Sequence, residues 1–211
     1  MSEIKLVDKK SQNLVYSARL TGNQFLYNEF KVMTKLTLQG LDKKTIFDKI
    51  VDENLFEYRS LKSIGKHLGA VWERVNYLDG YLKEKVVNEP NEIGRIINFY
   101  AILKYDTLFL EFMLEVVQEK FSTSQNELTN ADISNFFSVK AEQSDIVKDF
   151  KEATIKRLRL AYVEILLGAG YITKTENKDK YLLTTPLAVY QISEHLRDNN
   201  EKQFVKAMLG V

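Results

Sequence analysis

Along most of the chain the apolar residues recur at spacings of three and four, and only two prolines and nine glycines interrupt them, which predicts a mainly helical protein. Thr21-Gly22-Asn23-Gln24 matches a capping box, so a first helix is expected to start after Thr21 and to stop at Gly40, with Leu26, Phe30, Met33 and either Leu36 or Thr37 inward. Asp42 can cap a second helix running to about Glu53 and burying Ile46, Ile50 and Val51. Residues 54–59 read as a turn, and Ser60 opens a third helix. In it Leu61, Ile64, Leu68, Val71, Trp72, Val75 and Leu78 share one side while Lys62, Lys66 and Glu73 fall opposite. Trp72 is therefore expected in the core.

Pro90, flanked by Asn88, Glu89 and Asn91, marks a boundary, because proline disfavours helix at the residue before it. Two helices, residues 92–104 and 105–120, are expected to follow, separately or joined. Beyond Thr129 the pattern shortens to helices at 131–138 and about 145–149, then lengthens into a helix to Leu167 that Gly168-Ala169-Gly170 stops. Residues 171–175 and 181–185 are rich in β-branched and aromatic side chains and bracket a polar tip, 176–180, which predicts a β-hairpin. Thr185 is expected to cap a helix with Pro186 at its first position, and residues 201–209 to form a last short helix.

The fold class that follows is mainly α: a helical bundle with an N-terminal helix-turn-helix-like part and a C-terminal winged-helix-like part carrying the short hairpin. Three regions are expected: 1–90, a connecting pair of long helices at 91–126, and 127–211. The winged-helix reading rests on Leu166-Leu167-Gly168-Ala169-Gly170-Tyr171-Ile172, where a helix ending in glycine leads into two strands with basic residues at their tip.

With 45% apolar and 11% aromatic residues, the 211-residue chain can bury a sizeable core, so disorder is excluded as its main state. It has no cysteine, which excludes disulfides, thiolate metal sites and cysteine nucleophiles and suits a reducing interior. Residues 1–10 alternate charged and apolar side chains, unlike a signal peptide, and the most apolar stretches are broken by glutamate well short of a membrane span. A cytoplasmic protein without membrane contact is expected.

Net charge is only +1, so any nucleic-acid footprint must be local. Residues 91–145 hold four basic and nine acidic side chains, whereas 146–180 hold eight and five. The neutral total conceals a polarised molecule. The basic stretch places Lys148, Lys151, Lys156, Arg157 and Arg159 around the start of the long helix, where they could reach phosphates, and Lys174, Lys178 and Lys180 on the hairpin. Leu160, Val163 and Leu167 follow on the Lys156 side, so the later turns are expected to be packed on both faces. A second, weaker cluster is Arg59, Lys62, Lys66 and Arg74 on the N-terminal helix pair, where a plain bundle with solvated lysines is the competing reading.

Enzymatic signatures are sparse. No phosphate-binding loop, dinucleotide fingerprint, nucleophile elbow or H-E-x-x-H zinc motif is present. His67 and His195 stand alone on predicted helices, with no other histidine or cysteine at ligand spacing, so each reads as structural and no metal or cofactor is implied. Glu111, Glu115 and Glu119 line one helix face at steps of four, a pattern that is usually solvated or met by a basic partner. Glu29-Phe30-Lys31 carries the "E-x-K" of some nuclease sites but lies in a helix without the upstream acid on a strand.

Taken in order, Tyr16-Ser17-Ala18-Arg19-Leu20-Thr21-Gly22, a helix with Glu29, Glu53-Asn54-Leu55-Phe56-Glu57-Tyr58-Arg59-Ser60, Trp72-Glu73-Arg74-Val75-Asn76-Tyr77-Leu78 and Glu115-Val116-Val117-Gln118-Glu119-Lys120-Phe121 resemble the BrxA family of bacteriophage exclusion (BREX) systems. The resemblance implies a cytoplasmic, non-enzymatic, largely helical protein that binds double-stranded DNA and works beside other BREX proteins in blocking phage replication and in host DNA methylation. The family has also been described as an inner-membrane protein, which the hydropathy of this chain does not support. A phosphate-contacting DNA-binding accessory protein is the leading expectation. The alternatives are an assembly subunit whose winged helix docks protein, and a transcriptional regulator, which would need base readout.

Overall fold

The computed structural model describes residues 16–210; the expectations for residues 1–10 and for the Leu61 side chain lie outside that description. A 3-10 turn (Arg19–Gly22) leads into α1 (Tyr27–Thr37), α2 (Lys43–Asp52), α3 (Leu61–Asn76) and α4 (Gly80–Asn88). Then come α5 (Asn91–Tyr105), α6 (Thr107–Phe112), a π-helical turn (Met113–Val117) and α7 (Gln118–Ser122), the last three running on without a break. Strand β1 (Glu127–Thr129) precedes α8 (Asn130–Gln143), α9 (Asp145–Lys148) and α10 (Glu152–Ala169). Strands β2 (Ile172–Lys174) and β3 (Lys180–Leu183), a 3-10 turn (Leu187–Val189), α11 (Tyr190–Asp198) and α12 (Lys202–Leu209) complete the fold. The mainly α class is as expected.

Helix α5 is the axis of the molecule. Nearly every side chain from Ile93 to Tyr105 is buried, so it reads as apolar all round. Helices α1, α3, α4, α10 and α12 pack on it. Tyr27 of α1 lies so close to Gly94 that a Cβ there would come within 2.4 Å of its hydroxyl, so glycine is required by space. Phe99 of α5 stacks on Tyr171 at 4.6 Å between ring centres, and the Tyr171 hydroxyl donates to the Met208 carbonyl at 2.8 Å, tying the end of α10 to α12.

Several boundaries follow the expected chemistry. Asp42 caps α2 by accepting from the Lys44 and Thr45 amides, and Gly40 and Gly170 take positive φ at the ends of α1 and α10. The two expected helices, residues 92–104 and 105–120, are separate, with Asp106, which the sequence did not single out, between α5 and α6. The loop between α2 and α3 is locked by Asn54, whose side chain pairs with both the amide and the carbonyl of Tyr58.

Other boundaries differ. The capping box at Thr21 does not form: the Thr21 hydroxyl donates back to Ala18, and α1 starts only at Tyr27, after Leu26 with φ 46°. The reason is Arg74, which claims the carbonyls of residues 23–25 and keeps that segment out of the helix. Pro186 does not occupy a first helical position. It has extended ψ ahead of the 3-10 turn, and α11 begins at Tyr190. Helix α4 was not expected as a separate element, and α8 is longer than residues 131–138.

Strand β1 was not foreseen either. The hairpin β2–β3 gains it as a third, antiparallel strand in the order β1-β3-β2, pairing Glu127 with Leu182, Leu128 with Tyr181 and Thr129 with Lys180. Three residues are too few to show a period of two. Thr129 then forms a reciprocal capping box with Asp132 that opens α8.

Candidate nucleic-acid interface

Helix α10 is positioned by its buried side, Leu158, Ala161, Tyr162, Ile165, Leu166 and Ala169. That packing turns Lys156 and Arg157 to solvent and leaves Arg159 half-buried at the side, where it reaches toward the Asn130 carbonyl at 3.5 Å. Lys148, at the end of α9, and Lys151, immediately before α10, are also exposed. Two adjoining depressions gather these cations. One, of about 290 Å³, lies between α10 and β3 and includes Lys156, Arg159, Leu160, Val163 and Tyr181. The other, of about 300 Å³, lies between α8 and the start of α10 and includes Lys148, Phe150, Ile155 and Arg159. Arg159 and Ile155 line both, so the two depressions adjoin, with Lys156 at one, Lys148 at the other and Arg159 between them. Among the described residues, Lys148, Lys151, Lys156, Arg157 and Arg159 make no ion pair.

The hairpin lysines divide. Lys174 pairs across the strands with Tyr181, on the sheet face that carries buried Leu128 and meets α10. Lys180 lies one residue out of phase, on the opposite face, and its ammonium is 2.8 Å from Glu127. Lys178 is exposed at the tip, which the Asn130 side-chain amide holds by donating to the Asp179 carboxylate at 3.0 Å and toward the Lys178 carbonyl at 3.5 Å. Lys174 thus extends the α10 surface and Lys180 does not.

Leu160 corrects the expectation that the later turns of α10 are packed on both faces. It is 59% exposed, because the mouth of the depression beside β3 leaves it uncovered, whereas Val163 and Leu167 are half-buried.

On the N-terminal pair, Arg59, Lys62 and Lys66 are exposed, and Glu73, which interrupts their stripe, is neutralised by Arg19 at 3.0 Å. Arg74 is a correction: it is fully buried and unavailable to phosphate. Its guanidinium donates to the carbonyls of Asn23, Gln24 and Phe25, and burial pushes its pKa down to about 10, so it stays charged at neutral pH. Trp72 is half-buried, edge-on to Phe47 at 5.8 Å, with the Lys43 ammonium over its ring.

The remaining candidates have structural partners. His67 meets Asn23 at 3.0 Å, and burial and then Lys66 push its pKa down. His195 meets Asp79 at 2.6 Å and stacks on Tyr81. Glu111 and Glu115 converge on the buried Lys140 of α8, a basic partner, while Glu119 is exposed. Glu29 accepts from the Tyr58 hydroxyl. Among the described residues there is no cluster of three His, Cys, Asp or Glu side chains placed to hold a metal ion, and no helix long and apolar enough to cross a membrane.

The model of the BrxA family matches residues 15–200. The chain belongs to the BrxA family. Within the segments between Tyr16 and Phe121, Asn54 locks a loop and Arg74 shapes the entry to α1. The sequence is similar to the BREX protein BrxA of Bacillus cereus (strain H3081.97), with 29% identity over 196 residues covering 93% of this chain and 97% of that protein. The BrxA-family fold seen here is also similar to the crystal structure of an uncharacterized protein from Magnetospirillum magneticum, with a TM-score of 0.79 and 21% identity, covering 93% of this chain and 99% of that one.

Proposed function

We propose that the protein is a non-enzymatic, cytoplasmic DNA-binding accessory component of a BREX phage-defence system, contacting double-stranded DNA mainly through phosphates with little sequence specificity. The observation that carries this reading is the placement of Lys148, Lys156 and Arg159 along two adjoining depressions beside α9 and α10, with Lys151 and Arg157 exposed nearby and none of them in an ion pair among the described residues. Cations on a helix beside a three-stranded sheet support this reading, because a helix can lie along a groove while a strand tip follows phosphates. Residues 127–211 would be the winged-helix region. The exposed Arg59, Lys62 and Lys66 of region 1–90 offer a second phosphate contact, joined through the 91–126 helices.

Fluorescence anisotropy with a labelled duplex of about three helical turns, titrated over a range of salt, tests it. The expected result is a steep salt slope, similar for unrelated sequences. Reversing Lys156, Arg157 and Arg159 to glutamate is expected to weaken binding to all duplexes alike and to flatten the slope. Unchanged affinity would refute this placement.

A second reading, an assembly subunit that docks on another BREX protein, draws on one observation. Leu187, 81% exposed, and Tyr190, 60% exposed, stand at and beside a cleft of about 720 Å³ between the start of α5 and the end of α10. Co-purification with a BREX partner that survives reversal of both basic clusters would favour it.

A further inference from the structure

The outward stripe of α10 is Ala153, Lys156, Arg157, Leu160 and Glu164, all exposed. A leucine at its centre gains nothing from a phosphate, which is strongly hydrated and offers no apolar surface. Yet Leu160 lies one helical turn, about 6 Å, beyond Lys156, at the mouth of the depression that it shares with Val163, Tyr181 and Arg159. Lys174 stands across the strand pair from Tyr181, so cations flank this apolar strip. Glu152 and Glu164 bound the stripe at either end and oppose phosphate there. The backbone-contacting part of α10 is therefore short, and what lies between is partly apolar.

The depression is lined by two cations, Lys156 and Arg159, against one carboxylate, Glu152, a balance that favours an anionic occupant, and duplex DNA presents one apolar group on the base edges of its major groove, the C5-methyl of thymine. We propose that Leu160, backed by Val163, contacts thymine methyl groups in the major groove and gives the phosphate-held complex a modest preference for thymine-bearing duplex. This rests on the DNA-binding reading above and adds a base-edge contact to it. The preference is small beside the thousandfold or greater discrimination of an operator-binding protein, so it is compatible with binding to many sequences.

The test compares two duplexes of one sequence that differ only in carrying thymidine or deoxyuridine, as competitors in anisotropy with the full chain and with Leu160→Ala. The wild-type protein is expected to bind the deoxyuridine duplex about threefold to fourfold more weakly per methyl contacted, the worth of burying one such group. Leu160→Ala is expected to bind both duplexes equally while keeping the wild-type salt slope. Equal wild-type affinity for the two duplexes overturns the methyl contact but leaves phosphate binding standing. A preference that persists in Leu160→Ala overturns the assignment to Leu160. Failure to bind either duplex at low salt removes the DNA-binding reading itself and this inference with it.

Discussion

The Lys140 ammonium of α8 lies 2.6 Å from a carboxylate oxygen of Glu111 on α6, and Lys140 is only 3% exposed. Glu115 approaches the same ammonium at 2.5 Å, and the Glu111 carboxylate also accepts from the Tyr16 hydroxyl at 2.8 Å. Burial alone would lower the Lys140 pKa, but the two carboxylates outweigh it and raise it. This ion group pins α8, which opens the C-terminal region, to the central helices.

Removing the cation leaves two carboxylates facing each other. Lys140→Ala is expected to cost about 3 kcal/mol in denaturant unfolding, and pairing Lys140→Met with Glu111→Gln to recover part of that loss. Anisotropy on the folded fraction should show unchanged DNA affinity, since Lys140 faces inward.

Arg74 separates structural from contact arginines in the N-terminal cluster. Arg74→Lys is expected to lose about 2 kcal/mol or more, because one ammonium cannot reproduce a fork to three carbonyls and would leave buried acceptors unpaired. Thermal unfolding checks this. Lys62→Glu with Lys66→Glu should leave the melting temperature nearly unchanged and weaken duplex binding in anisotropy; unchanged affinity would remove this cluster from the contact surface.

Asp106 is expected to make stability depend on pH. One of its oxygens caps α6 by accepting from the Phe109 amide, the other is buried without a partner among the described residues, and burial pushes the carboxyl up from 3.8 to about 6. The folded protein then holds this proton more tightly than the unfolded chain. Stability from this group is full below about pH 4, falls as the pH rises through about 6 and is flat above, a change of about 2 to 3 kcal/mol. Asp106→Asn, which keeps the capping oxygen, should abolish that slope; an identical pH profile for the two proteins would contradict it.

The two hairpin lysines should behave differently. Lys174→Glu, on the face shared with Tyr181, is expected to weaken binding and lower the salt slope by about one phosphate equivalent. Lys180→Glu, on the opposite face beside Glu127, should change the slope little. Parallel titrations of the two variants decide this.

Much of the fold was legible in the sequence because local chemistry set it: apolar spacing at three and four, Asp42 as a cap, Gly40 and Gly170 at helix ends, and a hairpin tip expected at 176–180, of which Lys180 already belongs to β3. Such signals need only a few neighbouring residues. The family was legible too, through the order of its segments. Strand β1 was not, since three residues become a strand only when β3 arrives from more than fifty positions away. Nor was the role of Arg74, which shares a helix with solvent-exposed Lys62 and Lys66 and is set apart only by carbonyls of residues 23–25.

By itself, then, the sequence determined the mainly helical class, the helix ends marked by Asp42, Gly40 and Gly170, which stretches are basic, and which chemistries the residue inventory excludes, since each depends on nearest neighbours or on composition alone. Tertiary structure decided which cations face outward together, that Arg74 is a core group, that Lys174 and Lys180 part to opposite faces, and that Leu160 stays in water. Those outcomes depend on which element covers which, and burial is a property of the packed whole that no local pattern carries.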